Sequence, residues 1–137
     1  MPGIAYPTKE EIIHSNSVVT SKYGQNHVVQ QEANLDFVLD SMERYAEEIE
    51  DGREKILKKA AFLIYNLSYK AHAFLDGNKR TSITATLLFM EKNGLRLNNE
   101  DEPGQAELAK IVKEAASGKK SVNYLYTWLK KRLFEER

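Results

Sequence analysis

Prolines stand only at positions 2, 7 and 103, so residues 8–102 contain none of the residue that removes a backbone donor and breaks helices. Long helices are therefore favoured, and apolar spacing locates them. Thr8 with Glu11 three positions on has the pattern of a capping box and starts a helix over 8–15. Residues 16–33 are polar and rich in Val, Asn and Gln, and read as a loop with a short hairpin around 23–26. From 34 to 50, Leu35, Val38, Leu39, Met42, Tyr45, Ala46 and Ile49 share one helix face, with Asn34 as N-cap and Asp51-Gly52 as the stop. The stretch 53–72 carries the broad apolar face of a central helix. Another helix, over 79–93, is capped by Asn78, stopped by Gly94, and apolar nearly all round from Ile83 to Met90. A turn at 98–104, a helix at 105–117 closed by Gly118 and a final helix at about 121–135 complete the reading. The expected fold is all-α, a compact bundle of six or seven helices in a single domain over 1–137.

Composition narrows the function. Twenty basic residues balance 20 acidic ones, so no global field draws the chain to nucleic acid or to an anionic membrane. With zero net charge and Glu135-Glu136 near the second, the basic runs at 119–120 and 130–132 read as a solvated helix face. The chain has no cysteine, which excludes disulfides, a thiolate nucleophile and cysteine-ligated metals. No run of 18 apolar residues predicts a membrane span, and the first residues lack the layout of a secretion signal. A cytoplasmic protein is expected.

One stretch carries chemistry: HAFLDGNKRT, residues 72–81, at the junction of the two most buried helices. A helix start leaves backbone N–H groups unpaired and a partial positive charge, a ready seat for phosphate. Gly77 permits a tight turn and close approach of a ligand. Asn78 can cap or donate, Lys79 adds a mobile charge, and Arg80 offers a planar fork for two phosphate oxygens. Cations at a helix start oppose its dipole, a placement that makes sense if an anion binds there. Asp76 suits a hard cation, and Mg²⁺ held by one carboxylate plus phosphates is the common arrangement. Histidine is the residue type able to take a proton near neutral pH, which nominates His72 as general base. Phe74 reads as a core plug anchoring the loop. Together these residues imply phosphoryl or nucleotidyl transfer to a hydroxyl. Plainer readings are a helix-end histidine, a turn with its cap, and a solvated basic first turn. A transition metal shared by His72 and Asp76 is a minor option. His14 and His27 belong to no motif and read as incidental.

HAFLDGNKR is similar to the signature of the Fic/Doc family, H-P-F-x-[DE]-G-N-[GK]-R, and its Lys79 resembles the Doc (death-on-curing) branch. The flanking AAFLIYNLSYK and TSITATLLFMEKNGLRL resemble the two central helices of that fold. The resemblance implies a nucleotide-dependent transferase using ATP and Mg²⁺. Most of the family moves AMP to a protein hydroxyl. The Doc branch is similar to kinases that move the γ-phosphate to elongation factor Tu as toxins paired with an antitoxin. A side chain at 79 reshapes the space that glycine leaves for the α-phosphate, which favours phosphoryl transfer; AMP transfer and an inactive binding module are the competing readings. Ala73 replaces the signature's proline, so nothing in residue 73 forces His72 out of helical geometry. The self-inhibitory signature [ST]-x-x-x-E-[GN] has no match in the sequence, which points to restraint by a separate partner.

Overall fold

The computed structural model describes residues 3–98 and 102–133. Among them, six α-helices follow in order: α1 (Lys9–Lys22), α2 (Glu32–Arg44), α3 (Gly52–Tyr65), α4 (Asn78–Lys92), α5 (Glu102–Ala116) and α6 (Val122–Lys131). A π-helical turn, Asn66–Lys70, continues α3 without a break. There is no β-strand among the described residues. Two isolated antiparallel bridges join Val29 to Phe74 and Leu97 to Leu133. The architecture is the all-α bundle that the apolar spacing predicts. No described helix is long and apolar enough to cross a membrane.

Helix α3 is the axis. Its Leu57, Ala60, Ala61 and Leu63 are fully buried, and it packs chiefly against α4 and α6. Each such leucine contributes roughly 1.5–3 kcal/mol by leaving water. Phe89 and Met90 of α4, Leu35 and Met42 of α2, and Leu125 and Leu129 of α6 close around it. Lys59 is also fully buried on α3. Its ammonium donates to the carbonyls of Met42 (2.7 Å) and Glu43 (3.0 Å) and pairs with Glu47 at 3.0 Å. It thus satisfies carbonyls that the end of α2 leaves unpaired, where a cation also suits the helix dipole. The basic runs are paired as well: Lys120 with Glu114, Lys130 with Glu54, and Arg132 with Glu107.

Several sequence expectations need correction. The predicted loop over 16–33 is helical as far as Lys22, and no hairpin forms at 23–26. Asn16 and Thr20 are buried there beside Ile12 and Val19, so the inward face of α1 is partly polar and hydropathy alone hides it. Asn34 is not an N-cap; α2 begins at Glu32, with Gln31 as cap, and ends at Arg44 rather than 50. Ala46, with φ of 63°, turns the chain away. Asp51 belongs to the next helix: its carboxylate accepts from Glu54 N–H at 2.9 Å and caps α3. Asn78 is the first residue of α4, whose cap is Gly77. Helix α5 begins at Glu102, earlier than predicted. The predicted end of the last helix reaches 135, but α6 ends at Lys131, and positions 134–137 lie outside the described residues.

Candidate active site

The candidate site is the crossing from the π-helical turn to α4, and its shape begins with His72. A φ of 45° puts this residue in the left-handed region, and its side chain is exposed. A non-glycine residue there costs of order 1–3 kcal/mol and persists only where its surroundings hold it. Here the backbone is held on both sides of it. The carbonyl of Ala71 accepts from the Asn34 side chain of α2 at 2.6 Å. The carbonyl of Ala73 accepts from Gln30 N–H (2.8 Å) and Gln31 N–H (3.1 Å). His72 therefore leaves helical geometry without the proline that the signature places after it.

Phe74 is buried at 3% exposure and plugs the loop into the core. Asn78 reaches back over one turn to grip Phe74's backbone twice. It accepts from Phe74 N–H at 3.2 Å and donates to Phe74 C=O at 2.8 Å. Its side chain is thus committed to the loop's shape, and the group it leaves for a ligand to meet is its backbone N–H.

Asp76 is half-buried. Its Oδ2 accepts from Asn26 N–H at 3.0 Å, and its carbonyl accepts from Asn16 Nδ2 at 2.8 Å. Gly77 follows with φ of 79°, and a Cβ there would stand 3.0 Å from Thr20 Cγ2 and 3.1 Å from Asn16 Nδ2. Both its conformation and its contact with α1 demand glycine. No side chain caps α4, and its first turn holds no acid. Thr81 N–H makes the helix's first bond, to Gly77 C=O at 2.8 Å. The N–H groups of 78–80 precede that bond and are the orphans of the helix start.

Lys79 and Arg80 are exposed on that first turn. The Arg80 guanidinium lies 3.7 Å from the centroid of the Tyr23 ring, a cation–π stack that holds its planar fork. Backbone pairing of Leu75 N–H with Val28 C=O at 3.0 Å ties the segment after α1 across the loop.

The structure thus brings His72, Asp76, Gly77, Lys79 and Arg80 to one junction. His14 stays apart on the exposed side of α1, while His27 joins the junction through Asn16. Sequence reasoning missed four supporting residues: Asn16, Tyr23, His27 and Asn34. The only available signal was Asn16 and Thr20 four apart on an otherwise helical segment. The arrangement provides an exposed imidazole, a hard carboxylate oxygen and an uncapped, basic helix start. Among the described residues no group of three or more His, Asp or Glu could hold a metal by themselves. The one carboxylate present fits a cation that takes its remaining ligands from phosphate and water. The family model described as Fic/DOC matches residues 6–90, a span that contains every residue named in this section. No curated protein matches the chain.

Proposed function

Because the chain belongs to the Fic/DOC family, whose members generally transfer nucleotide moieties to proteins, we propose that it moves the γ-phosphoryl group of ATP to a hydroxyl of a target protein. The observation that carries this reading is the uncapped start of α4, flanked by an exposed His72 on one side and Lys79 and Arg80 on the other. The side-chain caps of α1, α3 and α6 each silence one donor; α2 lacks such a cap but carries Glu32 in its first turn, whereas α4 lacks one and carries Lys79 and Arg80.

In the proposed reaction, His72 takes the proton of an incoming Ser, Thr or Tyr hydroxyl. The oxygen bonds to the γ-phosphorus, the bond to the β-phosphate oxygen breaks, and ADP leaves. The N–H groups of 78–80 and the Arg80 fork receive the charge that develops on the phosphate oxygens. Asp76 would hold Mg²⁺, which supplies further charge neutralisation when bound. Lys79 supplies the side chain that disfavours seating the α-phosphate nearest His72.

The proposed target is a translation factor similar to elongation factor Tu, met in the cytoplasm, with a separate antitoxin as the restraint. AMP transfer with the same residues is the second reading, supported by what the family generally does. Incubating the protein and elongation factor Tu with ATP labelled at either the α- or the γ-phosphate decides between them. Label from the γ-position on the target supports the proposal, and label from the α-position replaces it with AMP transfer. A protein that binds no ATP with Mg²⁺ in a calorimeter is a binding module and neither enzyme.

A further inference from the structure

We propose that Asn16 and His27 are positioning residues that hold the Asp76 carboxylate for a metal-bound triphosphate, an inference that rests on the transferase reading above. Asn16 is fully buried. Its Nδ2 donates to Asp76 C=O at 2.8 Å and to Thr81 Oγ1 at 3.0 Å. A carbonyl can only accept, so this partner fixes which end of the amide is nitrogen. The other end, Oδ1, then faces His27 Nδ1 at 2.8 Å. Amide oxygen also only accepts, so His27 carries a proton on Nδ1.

The neighbouring residue completes the grip, because Asn26 N–H donates to Asp76 Oδ2 at 3.0 Å. One buried amide therefore holds Asp76 twice: directly at its peptide, and at its carboxylate through the 26–27 step. The link is not needed to attach this segment to the loop. Val28, Gln30 and Gln31 already do that through their backbone bonds to 73–75. What the Asn16–His27 bond adds is the placement of Asn26 against the carboxylate. Partners that orient a metal-binding carboxylate in this way typically cost about 10–100-fold in metal affinity or activity when lost.

His27 is exposed, so it can be changed without emptying the core. Isothermal titration of the full chain with ATP, run once with Mg²⁺ and once with EDTA, is the test. His27→Ala should weaken binding about tenfold with Mg²⁺ and by less than about twofold without it. His27→Asn keeps a donor where Nδ1 stands and should remain within about twofold of wild type in both titrations. Long-range ¹H–¹⁵N spectra should place a proton on Nδ1 of His27 in the wild type. Unchanged binding in His27→Ala, an equal loss with and without Mg²⁺, failure of the asparagine to rescue, or an unprotonated Nδ1 overturns the inference and leaves the transferase reading standing. A wild-type protein that binds no ATP with Mg²⁺ overturns both.

Discussion

The dipeptide Asp-Gly stands at the start of two helices, and the two starts use it one position out of step. At α3, Asp51 is the cap: its carboxylate accepts from Glu54 N–H, and the first turn carries an acid. At α4, the aspartate sits one residue earlier and Gly77 takes the cap position, left-handed and without a side-chain bond. Asp76 instead turns its carboxylate to Asn26 N–H, and the first turn carries Lys79 and Arg80. The first start satisfies one of its donors with its own side chain and complements the dipole, which is how a helix is stabilised. The second opposes the dipole and leaves its donors open. One register step separates a start capped by its own aspartate from one left without a side-chain cap.

The largest test of that contrast lies at His72. His72→Gly should lower the proposed transferase activity about 10²–10⁴-fold, the usual share of the general base that the proposal makes of it. The same change should raise unfolding stability by about 1 kcal/mol, because glycine adopts a positive φ without the side-chain penalty. Activity and a urea melt on one preparation check both halves, and a parallel loss of stability would refute the strain at this residue.

Next in size is Gly77→Ala, which must adopt φ of 79° and meet Thr20 Cγ2 at 3.0 Å. It should cost about 1–3 kcal/mol in a denaturant melt and weaken ATP binding. Asp51→Ala removes the cap of α3 and should cost about 1 kcal/mol. Because Asp51 touches nothing in the candidate site, ATP affinity should not move. Equal effects of the two changes on nucleotide binding would erase the distinction between the starts.

The smallest effect concerns acid. Hydrogen bonds from Lys130 first, and then from Tyr126, hold the Glu54 carboxyl below its usual value of 4.5. A depressed folded-state value contributes stability above about pH 4.5 that is lost as pH falls through it. Glu54→Gln should therefore lose less stability than wild type between neutral pH and pH of about 3, read as the shift in urea midpoint. The difference will be small, since Lys130 is well exposed and such pairs are screened. Glu11, Glu47 and Glu107, also depressed, remain in the variant.

The helices were legible because most of them bury apolar stripes, and the capping box of Thr8 and Glu11 is present as the spacing predicts. The motif was legible because its residues are contiguous in sequence. What escaped was polar burial. Asn16 and Thr20 look like loop residues until one sees that α1 presents them to Gly77 and Asp76. Asn34 looked like a cap because asparagines commonly are, yet its amide serves Ala71 from across the fold. Asn78 failed as a cap for a related reason: glycine had the left-handed conformation, and the amide was free to bind Phe74 instead. Local rules assign such side chains to the nearest backbone, and for Asn16 and Asn34 tertiary partners outcompeted it.

The wide turn at Asn66–Lys70 closes with Ala71 N–H bonding Asn66 C=O, five residues back rather than four. It spends one residue more than an ordinary turn would. An α-helix advances about 100° per residue, so deleting any one of these five positions would let the ladder run straight and rotate whatever follows by roughly that angle. The imidazole would then leave α3 on a different bearing. The phase of that single turn, together with the bonds that pin Ala71 and Ala73, sets which way the histidine faces.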